Sequence, residues 1–501
     1  MNQLPIIERA IAHGDRIAVR SATGTHTFQS LVAKSERVAA LLLGQDRDLD
    51  EKRIAYLVPA GEQYIAVQWG IWRAGGIAIP LSQSATEQEM IYTLTDSQVV
   101  AVVVAKECAD KMAFCEDHGI RLHQADDLPV SSRIELPEID LNRRAMILYT
   151  SGTTNKPKGV VTTHACIQAQ IESLIEAWCW ESGDRIPLFL PLHHIHGIIN
   201  VLSCALWSGG QIEAYPRFEM DVILGRVAED AYTVFMAVPT IYVKMIQALE
   251  GMERESRERI VAGFGRMRLM ISGSAALPAT IHQRWTELTG QRLLERYGMT
   301  EIGMGLSNPY EGERRPGAVG KPLPGVKIRL LAESGESNPG DGIAGEIQVC
   351  GETVFQEYWN RPEATENAFV DGWFRTGDIA VVEEGYFRIM GRSSVDIIKS
   401  GGYKLSALEI EATLLDHPAI DQVAVVGIND ETWGEIVAAA VVLKAGEAID
   451  LDSLRAWSKD RVSAYKVPRQ LLVVDKLARN AMGKVTKPAV KQLFEASQES
   501  K

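Results

Sequence analysis

Apolar positions along the first hundred residues alternate between two spacings. Ile17-Ala18-Val19 is a short apolar run that stops before a turn at Gly24, as a strand does. From Phe28 to Leu43 apolar residues recur every three or four positions, the spacing of one helical face. Arg53–Val58 then reads as a strand, Glu62–Ala74 as a helix and Ile77–Pro80 as a strand. Met90–Thr95 suits a short helix, and Val99–Val104 a buried strand. Strand and helix in alternation predict a parallel sheet covered by helices. The stretch Asp110–Asn142 is polar and aperiodic, and is expected to loop over the surface.

The same reading continues downstream. Met146–Tyr149 is a buried strand, Val160–His164 a second one, and His164 opens a helix to Ala177. His164 itself is expected as a capping or surface residue. Val234–Val238 is a strand, and Pro239 starts the helix after it. Leu269–Ile271 is a strand leaving into the small-residue turn that ends at Pro278. Ser393–Lys404 is short, polar and glycine-rich, and marks a domain boundary. Beyond it lie an amphipathic helix, Ser406–Leu415, strands at Asp421–Ile428 and Ile436–Leu443, and a helix at Leu451–Val462. The expected fold is α/β. It has a large N-terminal domain of parallel-rich sheets with covering helices (residues 1–392) and a small α+β C-terminal domain (393–501).

Composition narrows the function. A chain of 501 residues is too long for one core. A net charge of −13 argues against nucleic acid or an anionic membrane as the main partner, so an anionic ligand needs a local basic site. No apolar run is long enough to span a bilayer, and no basic-then-apolar leader opens the chain. Six cysteines, at 108, 115, 166, 179, 204 and 350, form no CxxC pair. Reduced thiols and a cytoplasmic setting are expected.

Chemistry concentrates in a few short runs. The strand ending at Tyr149 feeds Thr150-Ser151-Gly152-Thr153-Thr154-Asn155-Lys156-Pro157-Lys158-Gly159. Hydroxyls, free backbone N–H groups and lysines at a turn can wrap phosphate oxygens. The run lacks the Gly-Lys-Ser/Thr ending of a Walker A loop, and a plain polar turn is the alternative. His193, His194 and His196 lie close together, but no nearby cysteine or acid completes a four-ligand metal set.

The run Thr150–Gly159 resembles the phosphate loop of the adenylate-forming superfamily, which holds acyl-CoA synthetases, luciferases and adenylation domains. Asn155 stands where that family most often has glycine, a position an asparagine tolerates. Further elements follow in the family's order: Pro191-x-x-His194-x-x-Gly197, the turn at Gly273, Tyr297-Gly-Met-Thr300-Glu301, Thr376-Gly377-Asp378, Gly391-Arg392 and Gly483-Lys484. The resemblance implies ATP, Mg²⁺ and coenzyme A as ligands. By that match Thr150, Ser151, Gly152, Thr153, Thr154 and Lys158 cradle phosphates. Gly273, Ser274 and Ala275 lie against adenine, unless this is a plain strand-to-helix turn. Tyr297 stacks on adenine, Thr300 reaches the α-phosphate and Glu301 holds Mg²⁺. Asp378 and Arg392 hold the ribose, and Lys484 bridges carboxylate and α-phosphate. The C-terminal domain is then mobile: it swings about a residue near Ser394 or Asp396 and brings Lys399, Gly401 and Gly402 to a channel for the thiol.

The acyl side carries the substrate signal. By the match His194 lines the acyl pocket with His196 nearby, a packed core histidine being the alternative. Arg296 occupies a position where many relatives have glycine and a side chain enters the pocket. A buried guanidinium is costly without a partner and pairs bidentately with a carboxylate. That partner is a second carboxylate on the substrate or a protein acid such as Glu295. The runs Glu295–Met304, Pro191–Gly197, Phe235–Tyr242 and Val395–Lys404 closely resemble malonyl-CoA synthetases. The expected reaction joins malonate or methylmalonate to coenzyme A at the expense of ATP. A synthetase for monocarboxylic fatty acids and an enzyme loading a carrier protein are the rivals. A monomer or homodimer is expected, with small molecules as partners.

Overall fold

The computed structural model describes residues 4–129, 135–150, 157–400, 403–479 and 485–499. By its contacts the chain forms two compact units. The first comprises Met1–Pro316, Gly320–Lys327 and Val349–Phe374; the second comprises Gly317–Val319, Ile328–Gln348 and Arg375–Lys501.

The first unit carries a seven-stranded sheet. Its strands lie in the order Glu357–Tyr358, Lys158–Thr163, Arg144–Thr150, Ile77–Pro80, Arg53–Leu57, Ala101–Val104, Arg121–Gln124. From Arg144–Thr150 onwards neighbours run parallel, and the first two strands are antiparallel. Parallel neighbours need crossovers, which the helices Glu62–Arg73 and Glu87–Asp96 supply. Strands covered on both faces are apolar throughout, and every residue of Ile77–Pro80 and Ala101–Val104 is buried.

One expectation fails in this sheet. The stretch from residue 110 is not all surface loop: a 3₁₀ helix, Lys106–Cys115, and the edge strand Arg121–Gln124 occupy part of it. Met112 and Cys115 pack into the core with Ile79, Met90 and Val104. Two apolar anchors in a polar stretch are too sparse to show as a period, and an edge strand needs only one partner.

Two further sheets complete the unit. One orders Gly24–Thr27, Ile17–Ser21, Gln211–Ala214 and Arg185–Leu188. The other orders Val234–Ala237, Leu269–Ser272, Leu294–Met299, Gly303–Ser307 and Lys321–Pro322. The helix Pro239–Glu250 begins with its proline in the first turn, where a missing N–H costs nothing. The helix His164–Ala177 begins as the pattern predicts, but His164 is neither cap nor surface. Thr163 caps the helix by accepting from the Cys166 N–H, while His164 is buried edge-on to Trp72. Burial holds its imidazole neutral, with a pKa pushed down to about 3.

The second unit centres on two long antiparallel strands, Ile420–Asp430 and Gly434–Leu443, with Gln470–Val473 parallel to the latter. Alternate residues face opposite sides. Val423, Val425 and Val437 pack on Ile410, Leu414 and Leu454, from the helices Ala407–Leu414 and Leu451–Lys459. Ala424, Val426 and Ala438 pack on Val490 and Phe494, from a C-terminal helix, Lys487–Glu499, that the sparse apolar pattern there does not announce.

At the start of that last helix Lys487 Nζ lies 2.7 Å from Asp396 and 2.8 Å from Glu411. Burial works against the Lys487 charge, but the two carboxylates outweigh it and hold its pKa above the usual value. Glu411 also accepts from the Val425 N–H. Lys487→Met leaves two partly buried carboxylates near each other without a cation. The expected loss of stability is about 3 kcal/mol, the scale of breaking a buried ion pair. Urea unfolding of the variant checks it.

Candidate active site

The hairpin Leu294–Met299/Gly303–Ser307 presents the first group of residues. Tyr297 pairs with Leu306, a bulge follows, and Met299 pairs with Gly303. The chain reverses through Thr300, Glu301 and Ile302 because Gly303 adopts φ 65° and the Ile302 N–H donates to the Met299 carbonyl. This reversal places Glu301 in a buried position. The Tyr358 hydroxyl donates to Glu301 Oε1 at 3.0 Å, and the Phe355 N–H donates to the Glu301 carbonyl at 2.7 Å.

Lys158 approaches the same tyrosine. Its Nζ stands 4.9 Å from the centre of the Tyr358 ring. The phosphate-loop lysine and the hairpin acid therefore share one aromatic neighbour that the motif reading missed. Tyr358 belongs to no motif; only its place in the aromatic run Phe355–Trp359 hinted at a role. Thr150 and Lys158 are ladder partners at the ends of two antiparallel strands. Ser151, Gly152, Thr153 and Thr154, between them, lie outside the described residues.

The second group forms around Arg296. Strand alternation sends Glu295 and Arg296 to opposite faces, which removes Glu295 as a partner for the guanidinium. Arg296 is buried, and its Nη2 donates to Ser274 Oγ at 3.2 Å. No carboxylate pairs with it among the described residues, and its Nε has no acceptor there. Burial alone pushes its pKa down to about 9, so it still carries its charge at neutral pH. Gly273 makes room for it: a Cβ there would stand 2.5 Å from Arg296 Nε.

The histidines divide. His196 is buried at the start of a π-helix, His196–Ser203, with Nδ1 3.1 Å from Ser274 Oγ. Burial first, then the charge of Arg296, hold it well below its usual pKa, and its Nε2 has no partner among the described residues. His194 is half-buried, its ring centre 4.1 Å from that of His193 with the planes tilted by 49°. Burial pushes the His193 pKa down to about 3. His196, rather than His194, makes the closer connection to Arg296. Ser274, expected against adenine, turns its hydroxyl to this group; Ala275 is exposed beside it.

In the second unit Asp378 and Arg392 are cross-strand partners, and Arg392 Nε lies 3.1 Å from Asp378 Oδ1. The Asp378 N–H donates to Thr376 Oγ1, whose own proton goes to the Ile347 carbonyl. Lys399 is exposed, with its N–H donating to Glu435. Gly401, Gly402 and Lys484 lie outside the described residues. Among the described residues on either side of Lys484, Arg479 bridges Val485, and the Thr486 N–H donates to the Ala478 carbonyl at 2.8 Å.

Comparison with known proteins shows the family of the chain. Residues 7–359 match the AMP-binding enzyme family, and residues 409–484 match the AMP-binding enzyme C-terminal domain. The chain is 41% identical to the mitochondrial malonate–CoA ligase ACSF3 of Mus musculus over 539 aligned residues, covering 99% of this chain and 92% of that protein. It is 38% identical to a malonate–CoA ligase of Arabidopsis thaliana, covering 96% and 86%. Its structure matches that of ATP-bound MatB from Rhodopseudomonas palustris with a TM-score of 0.88 and 32% identity, covering 98% and 99%. With a family match over most of its length, the chain belongs to the AMP-binding enzymes.

Proposed function

We propose that the protein is an AMP-forming acid–CoA ligase that makes malonyl-CoA from malonate, ATP and coenzyme A. The carrying observation is Arg296: a buried, charged guanidinium with no carboxylate beside it among the described residues. A buried cation left unpaired is strongly destabilising, so a ligand anion is the natural complement. The names of the murine and Arabidopsis relatives support malonate as that anion. Methylmalonate offers the same second carboxylate.

The reaction has two balanced halves. A malonate oxygen attacks the α-phosphorus, the bond to the β-phosphate breaks and pyrophosphate leaves. The thiolate sulfur of coenzyme A then attacks the acyl carbon and AMP leaves. The protein supplies placement and charge rather than a covalent intermediate. Thr150, Lys158 and the residues between them hold phosphates, with Thr300 at the α-phosphate and Tyr297 on the base. Glu301 is a buried carboxylate braced by a tyrosine hydroxyl, which suits it as one hard ligand of Mg²⁺, phosphate oxygens and water completing the shell. Magnesium held there would supply positive charge to offset that of the pyrophosphate leaving group. Asp378 and Arg392 take the ribose, Lys484 bridges the two anions, and Lys399, Gly401 and Gly402 serve the thiol. The functional boundary is drawn at residue 392.

Among the described residues no helix is long and apolar enough to cross a membrane. All six cysteines are free, and a cytoplasmic setting is kept as the reading of the chain, although the murine relative is mitochondrial.

Pyrophosphate release across a panel of acids, with and without coenzyme A, tests the assignment. Malonate is expected to give the highest kcat/KM, and turnover to malonyl-CoA to require free coenzyme A. Preference for octanoate would establish a fatty-acid synthetase. Indifference to coenzyme A would indicate a carrier-loading enzyme.

A further inference from the structure

The turn after Leu269–Ser272 holds Ser274 at φ 70°, a backbone region that a serine enters at a cost. Its hydroxyl oxygen lies 3.2 Å from Arg296 Nη2 and 3.1 Å from His196 Nδ1. Directions follow from the donor inventory. A guanidinium only donates, so Ser274 Oγ accepts from Arg296. Ser274 is exposed as a residue, and within this set its hydroxyl proton has one acceptor left, the Nδ1 lone pair of His196. The chain then runs one way, N–H to O–H to N, and each bond polarises the next. An imidazole accepting at Nδ1 carries its proton at Nε2. The two buried nitrogens without partners among the described residues, Arg296 Nε and His196 Nε2, thus become two N–H donors with no acceptor between them.

We propose that Ser274 is a specificity-determining positioning residue: its hydroxyl sets the His196 tautomer, so that Arg296 Nε and His196 Nε2 both present N–H donors and select a substrate carboxylate over an uncharged amide. The inference rests on the malonate reading of the same pocket. A carboxylate has four lone-pair sites and satisfies both donors. The monoamide of malonic acid brings N–H groups that meet other N–H groups, and an unmatched buried donor is penalised. In the opposite tautomer a bare Nε2 lone pair would face the substrate carboxylate and repel it. Specificity here arises as much from what the pocket rejects as from what it attracts.

The full-length protein carrying Ser274→Ala, and separately Ser274→Gly, which suits the positive φ, is compared with the parent on malonate, malonamate and propionate. Pyrophosphate release gives kcat and KM for each acid. The malonate-to-malonamate ratio of kcat/KM is expected to fall about tenfold, mainly through a higher KM for malonate, as for one lost hydrogen bond to a charged group. Nitrogen-15 shifts of His196, assigned by subtraction of His196→Gln, are expected to report Nε2–H in the parent and a tautomer mixture in both variants. Equal losses on all three acids, or an unchanged tautomer, overturn the inference. Arg296→Leu run alongside separates the two levels. If that variant loses no dicarboxylate preference, the malonate reading fails; if it does and the Ser274 variants do not, only the present inference fails.

Discussion

Arg296→Leu lowers malonate turnover about 100-fold or more relative to a monocarboxylate such as propionate, the scale set by removing one partner of a desolvated charge pair. The parent enzyme buries a guanidinium among groups that do not neutralise it. In the apo protein that charge is a standing cost, offset when a second carboxylate arrives. Leucine removes the cost and the attraction together. The apo variant should therefore be at least as stable as the parent, while malonate no longer stabilises it against heat. Apolar monocarboxylates lose nothing at that end and gain a drier pocket. Steady-state kinetics on malonate, propionate and butyrate give the selectivity, and thermal melts with and without malonate give the binding half. Equal losses on all acids would show that Arg296 supports the hairpin rather than the substrate.

Lys484→Ala is expected to abolish acyl-adenylate formation and leave thiolysis of supplied malonyl-adenylate largely intact. Two anions must approach before the first bond forms, and a cation between them stabilises the charge developing in that transition state. The second half has a neutral acyl carbon and a good leaving group, so it does not need the same cation. Pyrophosphate exchange reads the first half, and release of AMP from synthetic malonyl-adenylate with coenzyme A reads the second. Parallel loss of both halves would move Lys484 from chemistry to structure.

These two residues differ in how far the sequence carries them. Lys484 is assigned by a local run, Gly483-Lys484 after Arg479-Asn480, and the assignment needs no neighbours. Among the described residues on either side of that run, Arg479 and Val485 are bridged. Arg296 is different. Its position beside Tyr297 marks it as unusual, but the choice between substrate and Glu295 as its partner waited on the strand. Once Leu294–Met299 is extended, adjacent side chains diverge, and Glu295 drops out.

The sequence by itself determined the alternation of strands and helices, since a two-residue or three-to-four-residue apolar period is a local property. It also determined the order of the chemical runs and the family they resemble, because those runs are contiguous and each needs its own backbone shape. It did not locate the edge strand Arg121–Gln124, the 3₁₀ helix before it or the buried His164, because each is stabilised by distant partners rather than by its own pattern. Tertiary structure alone decided that Tyr358 joins Lys158 to Glu301 across some 200 residues of chain. It alone decided that Ser274 turns to His196 and Arg296, residues on three separate segments. The physical reason is the same in each case. Periodicity records which face of an element avoids water, whereas polar complementarity is settled only when separate elements pack and each buried donor must find an acceptor or await a ligand.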